Sequence, residues 1–76
     1  AIDFTIPTGA GTVRLDIFDA LGQRIAVLCD SELAPGVHRM QWRGMDQEGR
    51  PVASGVYIYR LESGRGRLAK RMVLVR

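Results

Sequence analysis

Turn-forming residues interrupt this chain so often that no segment between them is long enough for a comfortable helix. Turn signals rich in glycine and proline fall at residues 7–11, 21–22, 35–36, 44–49 and 64–66. Glycine tolerates positive φ angles and proline fixes φ near −65°, which suits both residues to tight turns. The chain is therefore restricted to short extended segments joined by turns.

The segments between the turns alternate apolar and polar side chains. Successive side chains of a strand point to opposite faces of a sheet, so a period of two is typical of strands. Short strands spaced by turns at this density predict an all-β fold, a small antiparallel β-sandwich of six to seven short strands. The alternation recurs in the segments 2–6, 13–17, 25–29, 38–42, 57–61 and 68–74.

One segment, residues 19–28, also fits a short helix. Asp19 is a good helix cap, and two good helix formers follow it. Gly22 and the β-branched Ile25 and Val27 disfavour a helix at the same place. We therefore expect a hairpin turn after Asp19.

The large apolar residues on one face of each predicted strand form the expected core. Trp42 is expected at its centre, since an indole can bury roughly 150 to 250 Å². The expected core residues are Phe4, Leu15, Ile17, Ile25, Val27, Met40, Trp42, Tyr57, Tyr59, Leu61, Met72 and Leu74.

The size and composition limit the class of protein. The 76 residues fit a single domain over residues 1–76. No apolar run approaches the roughly 20 residues that cross a bilayer, so we expect no membrane span. The lone Cys29 cannot close an intramolecular disulfide, and it reads as a small buried apolar residue.

Charge is distributed unevenly along the chain. The net charge is +3, yet residues 1–59 carry five arginines against seven acidic residues. Residues 60–76 carry six basic residues against Glu62 alone. Arginine docks carboxylates and phosphates through two parallel hydrogen bonds, so an anionic partner suits this basic end.

None of the residues that could serve in catalysis or metal binding has the neighbouring residues that such a site requires. His38 has no nucleophile at a recognisable motif, and Asp46 and Glu48 lack the regular carboxylate spacing of a calcium loop. Residues 64–67 alternate glycine and arginine, which fits a hairpin loop better than an anion site. We expect no enzyme activity, no cofactor and no metal.

A nucleic acid is the obvious partner to consider for a chain with a pI near 9.8. Single-strand binding needs exposed aromatic side chains between the cations. Tyr57 and Tyr59 share a face with Leu61 and are expected to point inward. The sequence therefore disfavours nucleic-acid binding, and its few exposed aromatic candidates disfavour carbohydrate binding.

Four sequence pieces in this order carry a family resemblance. They are VRLDIFDALG at 13–22, PGVHRMQWRG at 35–44, SGVYIYRL at 54–61 and KRMVL at 70–74. Together they resemble the C-terminal sorting domains of the type IX secretion system and the similar immunoglobulin-like (Ig-like) domain of flagellar hook-capping proteins. The likeness covers about residues 2–76.

The resemblance implies an Ig-like sandwich at the C-terminal end of a longer secreted protein, at the cell surface of a Gram-negative-type bacterium. Its first implied function is type IX sorting and anchoring, in which the outer-membrane translocation machinery recognises the final strand. The alternative is a structural interaction domain, hook-cap-like or part of a surface assembly, with an assembly protein as its partner. The recognition strand would comprise Lys70, Arg71, Met72, Val73, Leu74, Val75 and Arg76.

Overall fold

A computed structural model describes residues 1–76 and shows two antiparallel sheets without a helix. Strands β1 and β4 form the smaller sheet, and the larger one has the order β3-β2-β5-β6. The predicted all-β, Ig-like sandwich is confirmed, with six strands. These are β1 (Ile2–Ile6), β2 (Thr12–Asp19), β3 (Arg24–Glu32), β4 (Gly36–Met40), β5 (Gly55–Ser63) and β6 (Gly66–Leu74). The structure thus contains no helix that could span a membrane.

The hairpin between β2 and β3 is built by Asp19. Its carboxylate accepts hydrogen bonds from the backbone N–H groups of Leu21 and Gln23, both at 2.9 Å. A short acidic side chain that bonds the backbone two and four residues ahead holds the turn closed. The predicted hairpin is therefore confirmed, and the alternative helix does not form.

The centre of the core lies on β2. Val13, Leu15 and Ile17 have no exposed surface, because β2 lies between β3 and β5 and its inner face is covered by the smaller sheet. On that smaller sheet, the inward-facing side chains of β1 are buried in strict alternation with exposed ones. The period of two read from the sequence thus describes β1 directly, and in β2 it describes the apolar residues, while Asp16 between them is buried as well.

Trp42 does not occupy the centre of the core, which corrects the sequence expectation. Strand β4 ends at Met40, so Trp42 lies in the connection to β5 and is only half-buried. Its ring meets Tyr57 edge-on at 4.9 Å, and its Nε1 donates a hydrogen bond to the carbonyl of Met45 at 2.9 Å. Trp42 closes one end of the sandwich.

The other expected core residues divide into two groups. Phe4, Leu15, Ile17, Tyr57 and Leu61 are buried. A half-buried group packs against them from β4, β5 and β6: Met40, Tyr59, Met72 and Leu74.

Strand β3 departs from the predicted alternation. Ile25 and Val27 were expected in the core, but they are half-buried, and Ala26 and Cys29 are buried in their place. The reason is an irregular register between β2 and β3. One extra residue in a strand turns the following side chains to the other face.

The first irregularity lies at Leu28. Cys29 pairs with Leu15, whereas Val27 pairs with the next residue of β2, Asp16, so Leu28 has no partner in β2. Val27 consequently shares the outer face with Asp16. A second register shift follows near Ile25.

Candidate interaction surface

Strand β6 is an edge of the larger sheet. Its nine residues pair with β5 on one side, and no strand pairs with the other side. An edge strand leaves alternate backbone N–H and C=O groups without sheet partners. Six of the nine β6 residues, from Gly66 to Arg71, are exposed, so side chains on both faces of this stretch are accessible. We call this unpaired side, with Arg65 and Arg76 flanking it, the β6 edge.

The β6 edge carries positive charge that the chain itself does not neutralise. Arg65, Lys70, Arg71 and Arg76 form no ion pair, although Arg67 lies 3.7 Å from a carboxylate oxygen of Glu62. Lys70 lies on the inner face, opposite Tyr59, and Arg71 lies on the outer face. Cations therefore project from both faces of the strand.

Apolar surface accompanies this charge. Leu68 is 45% exposed and Val73 is 67% exposed, one on each face of β6. Two open clefts of about 290 and 210 Å³ lie between β6 and β1. Pro7 and Leu68 help line the first, and Ile2 and Met72 help line the second.

The C-terminal end of the chain is tied down by Arg76. Its Nε donates to the carbonyl of Val52 at 2.6 Å, its Nη2 donates to the carbonyl of Gly44, and its backbone N–H donates to Ser54 Oγ at 3.0 Å. These bonds join the residues after β6 to the long connection between β4 and β5. The segment Lys70–Arg76, predicted as a recognition strand, is thus held in a defined position, exposed except at the half-buried Met72 and Leu74.

The opposite edge of the larger sheet, β3, is bonded in part by Gln47, through its backbone and its side chain. The Gln47 backbone N–H donates to the carbonyl of Ile25 at 3.0 Å, and Gln47 Oε1 accepts from the Val27 N–H at 2.7 Å. Two backbone groups in the first half of the β3 edge are therefore already bonded.

The loop that presents Gln47 is organised by Asp46. The Asp46 carboxylate accepts hydrogen bonds from the backbone N–H groups of Arg50 at 2.9 Å and Glu48 at 3.0 Å. These bonds, led by the one from Arg50, lower the pKa of Asp46 below its ordinary value. The Asp46 side chain stabilises a turn of the backbone at a position where the sequence predicts one.

A cluster on the outer face of the larger sheet was missed by the sequence analysis. The buried carboxylate of Asp16 lies 3.0 Å from Arg14 Nε, 3.3 Å from Arg60 Nη2 and 3.5 Å from Arg24 Nη2. Phe18 carries the Arg60 guanidinium over its ring at 4.8 Å. One carboxylate therefore holds three cations from three strands. The signal was in the sequence, since an acidic residue stands between the apolar Leu15 and Ile17 in the most buried strand.

The remaining candidate residues, His38 and Cys29, make contacts that stabilise the fold. His38 Nε2 lies 2.6 Å from the Ala34 carbonyl oxygen, and its ring stacks on Phe4 at 5.7 Å. Cys29 is buried, with Sγ 3.8 Å from the carbonyl oxygen of Val13. Residues 64–65 form the loop of the β5–β6 hairpin, and no three His, Cys, Asp or Glu side chains come together as a metal-binding group.

The comparison with family models decides between the two resemblances. The model of the FlgD Ig-like domain matches residues 1–67, which include β1 to β5 and the start of β6. The chain belongs to the FlgD Ig-like domain family. This family is structural and non-catalytic. The match confirms the hook-capping resemblance and gives no support to the type IX one. No curated protein and no solved structure matches the chain.

Proposed function

We propose that this chain is a non-catalytic structural interaction module, which contributes a protein–protein contact to a secreted or surface assembly of a Gram-negative-type bacterium. The observation that carries the proposal is the match of residues 1–67 to the FlgD Ig-like domain. A module of this kind needs a stable scaffold and an accessible surface.

The roles of the polar side chains in the structure support this proposal. The Asp19 and Asp46 carboxylates hold turns, and Asp16 holds three arginines. Such groups stabilise the scaffold. Arg65, Lys70 and Arg71 of the β6 edge form no ion pair and remain available to a partner, and charged edges suit specific docking.

The sorting function stays a prediction from resemblance. It assigns recognition to Lys70–Arg76, and the family match ends at Arg67, before that segment begins. Sorting and assembly differ in what fails when the domain is removed, so one experiment separates them.

The experiment removes residues 1–76 from the full-length protein in its native bacterium. Cell fractionation then measures export, and electron microscopy measures the surface assembly. We expect export to continue and assembly to be lost. Replacement of the same residues by an unrelated β-sandwich of similar size controls for length, and it should also fail to restore assembly.

Retention of the shortened protein in the periplasm would instead support sorting. Normal assembly without residues 1–76 would overturn the proposal of an interaction module.

A further inference from the structure

We propose that the β6 edge binds an extended acidic segment of a partner protein, which adds to the larger sheet as a fifth strand. The inference rests on the proposed function, since it specifies the partner chemistry of the same module. Strand addition derives its affinity from main-chain hydrogen bonds and its selectivity from alternate side chains.

The first argument is that the two edges of the larger sheet differ. Gln47 occupies the β3 edge with two hydrogen bonds, and the register of β3 is irregular at two places. The register of β6 with β5 is unbroken, from the pair of Leu74 with Gly55 to the pair of Gly66 with Ser63. A long, regular strand offers its free N–H and C=O groups in a straight row, which is the template that another strand requires.

The second argument is charge. Most arginines elsewhere in the chain have a carboxylate partner, including Arg14, Arg39 and Arg50. Apart from Arg43, the cations without a carboxylate partner lie on or beside the β6 edge, with Lys70 and Arg71 at consecutive positions in the middle of the strand. Opposite charges on neighbouring strands attract, so the added strand should carry carboxylates on both of its faces there.

The third argument is the position of the exposed apolar side chains. Leu68 lies two residues before Lys70 on the inner face, and Val73 lies two residues after Arg71 on the outer face. The expected partner segment is therefore acidic at its centre and apolar towards its ends.

A second copy of this chain is a poor occupant of the same edge. Antiparallel pairing of two β6 strands about their centres would bring Lys70 and Arg71 of each copy together, and like charges in facing positions destabilise a sheet. Pairing of β6 with the full length of β3 of another copy would require Gln47 to leave its partners at Ile25 and Val27. Both arguments favour a different, acidic chain.

The test uses a nine-residue peptide with glutamates at its centre and valines towards its ends. A matched peptide has lysine in place of glutamate. Titration into the full chain, followed by backbone amide chemical shifts, locates the binding. We expect the glutamate peptide to shift the amides of β6 and the lysine peptide to have no effect.

Charge and strand addition are then tested separately. Lys70→Glu should weaken binding by about tenfold or more, whereas Arg43→Glu, which changes an exposed cation outside β6, should not. A glutamate peptide N-methylated at the alternate residues whose N–H groups would face β6 keeps its charge but loses those main-chain donors, so its binding should be lost.

Equal binding of the N-methylated peptide would show attraction by charge alone and overturn strand addition. Tighter binding of a single-stranded oligonucleotide at the same amides would overturn the acidic-protein assignment, as would a dimer in sedimentation that Lys70→Glu disrupts. If the glutamate peptide does not bind while removal of residues 1–76 still abolishes assembly, the strand-addition proposal fails and the interaction module stands.

Discussion

Asp16 shows how one side chain joins three strands. Among the charged side chains only Asp16 is buried, and its carboxylate contacts arginines from β2, β3 and β5. A buried charge is tolerated when it is paired and hydrogen-bonded. Removal of that charge leaves three guanidinium groups to find other partners.

Asp16→Asn keeps the shape of the side chain and removes its charge. We expect the free energy of unfolding to fall by about 1.5 to 3 kcal/mol, as when a hydrogen bond to a charged group is lost. Denaturant unfolding measures it. Asp3→Asn is the matched control, because the Asp3 ion pair with Arg39 is exposed and should contribute much less. Equal losses in the two variants would contradict a special role for Asp16.

Asp46 should make the stability depend on pH. Its folded-state pKa lies below its ordinary value because its carboxylate accepts backbone hydrogen bonds. A lowered pKa stabilises the fold above the unfolded-state pKa of about 3.9, and this contribution is lost as the pH falls through the lower, folded-state value. We therefore expect Asp46→Asn to be less stable than the parent at pH 6, with the difference shrinking below about pH 4.

Denaturant midpoints measured across that pH range test the Asp46 prediction. The pKa of Asp3 is also lowered, chiefly by its hydrogen bond with Arg39, so both chains share that background. If the difference in free energy of unfolding between parent and variant stays constant down to pH 2, the charge of Asp46 does not contribute to stability.

At the scale of the elements, Gly44 allows the chain end to dock. Gly44 has φ +72°, and a Cβ there would lie 2.6 Å from Arg76 Nη2 and 3.0 Å from Leu74 Cδ2. Arg76 can avoid such a Cβ only by moving, which breaks its bonds to the connection between β4 and β5. The left-handed backbone and the close approach both require glycine.

Gly44→Ala should therefore destabilise the chain more than Gly49→Ala. Gly49 has a similar φ of +81° and no atom near its would-be Cβ, so it reports the backbone strain alone, roughly 1 to 2 kcal/mol. Thermal unfolding of the two variants measures the difference. Equal losses would mean that the docking of Arg76 contributes nothing to stability.

The elements also show what a sequence can predict. The alternation of β1 was readable because this strand buries every second side chain, and the buried apolar residues of β2 and β5 also lie an even number of positions apart. The burial of Cys29 was predicted, but that of Ala26 in place of Ile25 and Val27 was not, because it depends on the irregular pairing of β3 with β2. The alternation of side chains within one strand does not reveal where its pairing with a neighbouring strand is irregular.

The candidate surface was predictable in the same partial way. The excess of cations in residues 60–76 was visible in the sequence. The accessibility of these cations was not visible. Arg60 binds Asp16, which is 44 residues away, whereas Lys70 and Arg71 have no carboxylate partner. The bond that Gln47 makes to the β3 edge joins residues 20 positions apart, Gln47 and Val27. Such a contact can be recognised only in the folded chain.

For the molecule as a whole, the core lies around β2 and not around the single tryptophan. Leu15 is fully buried on the central strand, whereas Trp42 is half-buried in a connection. Leu15→Ala should cost about 2 to 5 kcal/mol because it leaves a cavity in a closed environment. Trp42→Ala should cost less, since part of its ring already contacts water. Thermal melts of both variants decide the order, and the reverse order would place the core at Trp42.

The whole molecule is also asymmetric, because a two-stranded sheet faces a four-stranded one. Val13, Leu15 and Ile17 on β2 are fully buried, whereas residues 66–71 of β6 are exposed. This asymmetry, together with the charge of the β6 edge, is the physical basis of the proposed interaction.

Amide hydrogen exchange, resolved by residue in the free chain, tests this difference between the two edges most directly. We predict that the Val27 N–H is protected by Gln47 and loses its protection in Gln47→Ala, but not in the control Glu48→Ala. Along β6, alternate amides should exchange as fast as in an unfolded chain, because they point away from β5. Uniform protection of β6, or an unprotected Val27 in the parent chain, would contradict the account.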